Sequence, residues 1–312
     1  MAINKKRNLI IINPRAGRRK GLRDLGEITE IFAKAGYIST VAITQRRYDA
    51  IKFATELASE VDLITAIGGD GTFNEVMTGI CDSGVRVPIG YIPAGSTNDF
   101  AMSLALSDYM PEAAMDIVKG EAVSFDVGSF NRRIFSYVAT FGAFTQVSYE
   151  TSQNAKNMLG HLAYILNGAR ELPSIKAIHA RIEYEDQVIE DDFFFGAVSN
   201  ATSMGGVLNI NPSVVDMSDG KHELLLVRAA KNPLELNEII TDITFQRYNT
   251  KMITLVSSDK FKFYMDESVD WSLDGEYQKG ASEILIKNLH NAIDLVVNEK
   301  VQKSALSYRP IV

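Results

Sequence analysis

Short, wholly apolar runs alternate with helical periods from the N-terminus to about Phe125. Residues 9–12, 37–43, 63–67 and 88–92 read as strands. Between them apolar side chains recur every three or four positions. One such set is Leu25, Ile28 and Phe32, ending near Gly36; a second is Ile51, Ala54 and Ala58. A third is Phe73, Val76, Met77 and Ile80, which begins just after a run of glycines. Strand, polar loop and helix in that order predict an α/β domain with a mostly parallel sheet. Ligands of such sheets bind at the carboxyl ends of the strands.

From about Ala122 the period changes. Ile178, Ala180, Ile182 and Tyr184 alternate with His179, Arg181 and Glu183, the spacing of a half-buried strand. Glu185-Asp186-Gln187 is a turn into a strand over 188–198. Phe261, Phe263 and Met265 alternate with Lys260 and Lys262, and 284–289 and 292–297 are further strands. Two helices interrupt them. One carries Leu159, Leu162, Ala163 and Leu166; the other carries Leu236, Ile239, Ile240 and Ile243 and is entered through Asn232-Pro233. The expectation is a C-terminal, mainly antiparallel β domain. Residues 1–122 form the first domain and 123–312 the second, facing each other across a cleft, with the extreme C-terminal segment free to return to the first.

A chain of 312 residues suits two such domains, and 46% apolar with 23% charged residues is an ordinary globular composition. The net charge of −7 argues against nucleic acid as a partner. The charge is uneven, however. Lys5, Lys6, Arg7, Arg15, Arg18, Arg19, Lys20 and Arg23 precede the first acid, which points to an anionic ligand or surface near the N-terminus. A single cysteine, Cys81, excludes an internal disulfide and a cysteine-cluster metal site. No apolar run approaches the ~18–20 residues that span a bilayer. The apolar stretch at 9–12 is too short for a signal peptide, so the expected location is cytoplasmic.

Gly68-Gly69-Asp70-Gly71-Thr72 lies between a strand and a helix. Glycines let backbone approach a ligand closely, and free amides at the helix start can receive phosphate. Asp70 adds a negative charge there, which makes sense if a divalent cation lies between it and the phosphate. The competing reading is a turn with Asp70 as a helix cap. Pro93-Ala94-Gly95-Ser96-Thr97-Asn98-Asp99 repeats the design after the next strand, and Asn13-Pro14-Arg15-Ala16-Gly17 gives a third loop at a strand end. Asp216, Asp219 and Gly220 read first as a solvated acidic turn, and 271–276 as a surface hairpin.

Taken together, these residues resemble the diacylglycerol kinase/sphingosine kinase superfamily. The resemblance rests on Asn13-Pro14 with Gly17, on Gly68 to Val76, on Gly95-Ser96-Thr97-Asn98-Asp99-Phe100-Ala101 and on Asp126-Val127-Gly128. It continues through Asn200 with Gly205-Gly206, Asp219-Gly220 and Leu273-Asp274-Gly275-Glu276. Gly-Gly-Asp-Gly alone is shared with NAD kinases and phosphofructokinases. The size and the β domain look most like the soluble bacterial diacylglycerol kinases.

The resemblance implies a phosphofructokinase-like nucleotide-binding domain followed by a lipid-substrate domain. It implies that Asn13, Pro14, Arg15, Ala16, Gly17, Thr44, Gly68, Gly69, Asp70, Gly71, Thr72 and Ser96 bind ATP. Asp70, Asp99 and Asp126 would surround a catalytic magnesium. Asp216, Asp219 and the carbonyl of Lys221 would hold a structural magnesium, and Glu276 would be the general base. Ser96 stands where many relatives have Thr, and His222 where an apolar residue is usual.

The expected activity is ATP-dependent phosphorylation of a lipid alcohol, foremost diacylglycerol to phosphatidate. The alternatives are another lipid (a sphingoid base or a phosphatidylglycerol type), NAD, or a non-catalytic nucleotide-binding protein. Transient contact with an anionic membrane surface is expected, and a homodimer is compatible with the family. The basic cluster at 18–23 is a candidate for lipid headgroups or, equally, for ATP phosphates.

Overall fold

In a computed structural model, residues 5–96, 98–143, 176–200, 203–204, 208–209 and 217–298 are described. The chain divides into two compact units, Met1–Asp126 with Asn291–Val312, and Val127–His290. The first of these units runs without a break to Asp126. β5 (Glu121–Phe130) is one unbroken strand, so the change of pattern begins with the strand and not at the unit's edge.

The first unit is built on β1 (Lys6–Ile12), β2 (Tyr37–Ile43), β3 (Leu63–Gly68) and β4 (Ile89–Pro93), in the order β2-β1-β3-β4. All these pairs are parallel. β3 and β4 are buried throughout, which is why they read as continuous apolar runs. α1 (Lys20–Arg23) follows a 3-10 turn at Ala16–Arg19. α2 (Leu25–Lys34) buries Ile28 and Phe32 in one core with Met110, Ala113, Ala114 and Ile117 of a later helix. α3 (Asp49–Leu57) turns Ala50 and Ala54 inward, whereas the expected Ile51 is only half-buried. The reason is close packing on α4 (Asp70–Ser83): a Cβ on Gly79 would lie 2.5 Å from the Ile51 carbonyl and 2.7 Å from the Ala54 Cβ. Only small residues fit that contact. α5 (Asp99–Ser103) and α6 (Met110–Lys119) complete this unit's helices among the described residues.

In the second unit β6 (Arg133–Phe135) pairs with the end of β5, and β7 (Val138–Gly142) follows. β8 (Ile178–Tyr184) and β9 (Gln187–Ser199) form a hairpin through Glu185, which has φ +48°. β10 (Ser203–Met204) and β11 (Leu208–Asn209) make a small separate pair. β12 (His222–Arg228), β13 (Ile253–Ser258), β14 (Lys260–Met265), β15 (Trp271–Leu273) and β16 (Glu276–Gln278) follow, with α7 (Pro233–Thr244) between β12 and β13. Among the described residues this unit's pairings are antiparallel. The Asn232 side chain caps α7 by accepting from the Glu235 amide. The core gathers Phe130, Phe141 and Phe263 around Trp271, with ring centroids 4.8–5.2 Å from its own. The expected helix at 159–166 lies outside the described residues.

β17 (Glu283–Val297) is one strand where two were expected. Its buried positions are Ile284 and Ile286, then Ile293, Leu295 and Val297. The parity flips across Asn291, which sits at φ +51°. That residue lets the same strand pair with β14 in one unit and, at Leu295, with β4 in the other.

His222 fills the position where relatives usually carry an apolar residue. It is 1% exposed, its ring meets Phe135 edge-on, and its Nδ1 lies 2.8 Å from the Asn288 amide nitrogen. Burial pushes its pKa down to about 3, so it packs as a neutral ring.

Candidate active site

The carboxyl ends of β1, β3 and β4 bring three loops side by side. Asn13 donates its amide to the Ile67 carbonyl at 2.9 Å, and Ala94 donates to Gly68 at 2.7 Å. The Asn13 side chain then bridges two loops: Nδ2 donates to Thr72 Oγ1 at 3.2 Å while Oδ1 accepts from the Arg15 amide at 3.0 Å. Gly17 lies at φ +51°, and a Cβ there would collide with the Ala94 carbonyl. Gly69 and Gly95 face each other so closely that a Cβ on Gly95 would be 2.6 Å from the Gly69 Cα. The glycines therefore serve loop-to-loop contact as well as any ligand.

Gly69 caps α4, and its carbonyl accepts from the Thr72 and Phe73 amides. Asp70 is the first residue of that helix, and Gly71 is exposed. The helix start favours an anion by its dipole. The Asp70 Oδ1 accepts from the Phe100 amide at 3.3 Å, which ties the second loop to the third. Asn98 adopts φ +53° and closes the third loop on itself, accepting from the Gly95 amide at 2.8 Å.

Ser96 is exposed beside it. Asp99 opens α5, and its side chain lies outside the described residues. Thr44 sits at the end of β2, with its amide 3.0 Å and its hydroxyl 3.4 Å from the Ile12 carbonyl. Asp126 is 2% exposed and accepts from the Asn291 amide at 2.7 Å. Glu75 serves the fold, because its two oxygens accept from the Tyr48 and Ala50 amides and fix the start of α3.

In the second unit, Asp274 and Gly275 have φ +51° and +81°, a type I′ turn between the paired Leu273 and Glu276. This is more than a surface hairpin. The Asp274 carboxylate accepts from the Ser136, Tyr137 and Val138 amides. Its enclosure raises its pKa above the ordinary carboxylate range, against the pull of those donors. Glu276 is half-buried, and its Oε2 accepts from Arg133 Nη2 at 2.7 Å. Arg133 also donates to the Gln278 side chain and the Tyr277 carbonyl. Nothing near Glu276 in the sequence announces Arg133 or the amides of 136–138.

Asp216 lies outside the described residues. Asp219 is exposed and accepts from the Lys221 amide at 2.8 Å, and the Lys221 carbonyl accepts from Asn288 at 2.9 Å. Among the described residues no group of three or more His, Cys, Asp or Glu converges on a metal position. No helix among them is long and apolar enough to cross a membrane.

A parallel-sheet unit with three joined glycine loops is followed by an antiparallel β unit, and comparisons with known proteins place this arrangement in a class of phosphoryl-transfer enzyme. Residues 7–130 match the diacylglycerol kinase catalytic domain. The chain is 34% identical over 275 residues to a diacylglycerol kinase of Bacillus subtilis (strain 168), covering 87% of this chain and 90% of that one. It is 32% identical over 305 residues to a diacylglycerol kinase of Staphylococcus aureus (strain MRSA252), covering 95% and 96%. The fold is also that of a crystal structure of a diacylglycerol kinase from Bacillus anthracis str. Sterne, with a TM-score of 0.73 at 24% identity over 96% of this chain and 99% of that one. The chain belongs to the diacylglycerol kinase family and is an enzyme, a lipid kinase.

Proposed function

We propose that this lipid kinase transfers the γ-phosphoryl group of ATP to the free hydroxyl of diacylglycerol, giving phosphatidate and ADP. The joining of the three strand-end loops supports the reading best. Asn13 reaches Thr72, Gly17 abuts Ala94, and Gly69 abuts Gly95, so the three loops make one joined surface for a phosphate chain. Asn13, Pro14, Arg15, Ala16, Gly17, Thr44, Gly68, Gly69, Gly71, Thr72 and Ser96 hold the nucleotide.

Asp70, Asp99 and Asp126 supply hard oxygen donors, and magnesium takes one or two carboxylates together with substrate phosphates. The donor types suit the ion, and what supports this set is the family resemblance rather than a converged cluster among the described residues. The ion, when bound, neutralises charge on the phosphates. As the family resemblance implies, Asp219 and the Lys221 carbonyl, with Asp216 outside the described residues, would hold a second magnesium through oxygen donors. Glu276 accepts the proton of the acceptor hydroxyl as the oxygen attacks phosphorus, and Arg133 orients its carboxylate. The acceptor resides in a bilayer, so the protein works peripherally at an anionic surface, with the basic cluster at 18–23 as its contact.

Purified protein with radiolabelled ATP and anionic mixed micelles tests this. Diacylglycerol should yield labelled phosphatidate, and Asp70→Asn should remove nearly all turnover with an unchanged thermal midpoint. Label carried instead by sphingosine or phosphatidylglycerol, or full turnover in the Asp70→Asn protein, would refute the reading.

A further inference from the structure

Tyr48 holds a backbone conformation that its side chain resists. Its φ is +71°, in the left-handed region where a Cβ crowds the carbonyl and bulky residues are rare. Among the described residues it is the only aromatic side chain at positive φ. The loop around it accounts for the conformation. Asp49 Oδ2 accepts from the Gln45 amide at 2.8 Å and the Arg46 amide at 3.0 Å. The two oxygens of Glu75 accept from the Tyr48 and Ala50 amides at 3.0 and 3.3 Å. A backbone fixed from both sides in this way retains its strain.

Those bonds do not account for the tyrosine, because glycine or asparagine meets the same φ with less strain. Burial does not account for it either, since the residue is 59% exposed. The Arg47 guanidinium lies over the ring, 5.1 Å from its centroid, and braces one face. An aromatic ring braced in this way and left in water is ready for a flat partner.

Its neighbours say which partner. Thr44 follows β2 directly and donates its amide to the carbonyl of Ile12, the last residue before the first loop. Glu75, which holds the Tyr48 amide, lies in the second turn of α4, the helix that opens at Asp70 of the second loop. Tyr48 thus stands between the end of β2 and α4, flanking the first two loops. We propose that the Tyr48 ring stacks on the base of the nucleotide whose phosphates those loops hold. The inference rests on the reading of the loops and Thr44 as the nucleotide site, and it adds the residue that meets the base.

The test uses the full chain, with ADP and the base-free tripolyphosphate as calorimetric probes in one magnesium buffer. Tyr48→Gly removes the ring and relieves the backbone. Its thermal midpoint should not fall, ADP binding should weaken about tenfold or more, and tripolyphosphate binding should stay as in the wild type. Tyr48→Trp keeps a flat ring and should bind ADP within a few-fold of the wild type. The chain's own tryptophan, Trp271, is buried, so quenching of the added indole by ADP and not by tripolyphosphate reports the stack.

Equal ADP affinity in the wild type and Tyr48→Gly overturns the stacking assignment, while retained tripolyphosphate binding leaves the phosphate reading standing. An equal loss for ADP and tripolyphosphate makes Tyr48 a support of the loops and also overturns it. A wild type that binds neither probe refutes the phosphate site and the inference together.

Discussion

Asp274 and Glu276 stand two residues apart and meet different surroundings. Asp274 gathers three backbone amides, while Glu276 meets a guanidinium and keeps part of its surface in water. Glu276→Gln keeps shape and loses the proton acceptor, so turnover should fall ~10²–10⁴-fold with KM for ATP and the unfolding midpoint little changed. Steady-state kinetics beside a thermal melt read this directly, and a variant within a few-fold of wild type would return Glu276 to an ordinary surface acid. Asp274→Asn should behave in the opposite sense. Its amide turns a donor towards a donor, costing about 2–3 kcal/mol in urea unfolding and loosening the turn that carries Glu276. Sequence reading picked out both acids only through the family motif. It named Glu276 the general base and gave Asp274 no role, because the burial of Asp274 and the Arg133 partner come from strands far away in the chain.

At the scale of elements, the loops at the ends of β1, β3 and β4 were legible because each follows an unbroken apolar run. Their mutual contact was legible only as the adjacency that a parallel sheet imposes. Gly17→Ala tests that contact. With φ +51° and the Ala94 carbonyl in the path of the added Cβ, the variant should lose about 1–2 kcal/mol of stability and bind ATP more weakly. Gly79→Ala is the matching control away from the loops. It overpacks α4 on α3, so it should cost about 1–3 kcal/mol in urea unfolding with KM for ATP unchanged. Other elements escaped the reading. α6 hides its helical stripe because Ala113 and Ala114 are small, and β17 reads as two strands because the buried parity switches at Asn291. The inward face of α3 was misplaced by one residue, since the sequence cannot show that Gly79 demands alanine opposite it.

On the scale of the molecule, the first unit is closed by segments distant in sequence, and Arg86 clasps them. Its guanidinium pairs with Asp294 through both oxygens, at 2.5 and 2.6 Å, and donates to Ser124 and to the Asn291 carbonyl. Arg86, foremost by its hydrogen bond, holds the Asp294 pKa below the ordinary carboxylate value. For a depressed acid the stabilisation is present above the unfolded pKa of ~3.9 and is lost as pH falls below it. Arg86→Met should therefore cost about 1 kcal/mol at neutral pH, since the arginine is largely exposed, and progressively less below about pH 4. Urea unfolding of both proteins across that pH range would show the gap closing, and a constant gap would mean that the ion pair contributes nothing.

The division of the first unit between residues up to Asp126 and residues from Asn291 has a consequence for how the protein is made. A ribosome delivers the chain from its amino end, and domains generally fold as they emerge. Here the later half of β17 is delivered after the whole of the second unit, so β4 waits at the edge of a parallel sheet for its neighbour. An unpaired apolar strand is an invitation to foreign strands. The nascent protein thus passes through a period in which its second unit can be finished while its first remains open. Slowing translation between Asp126 and Asn291 should lengthen that period and increase aggregation.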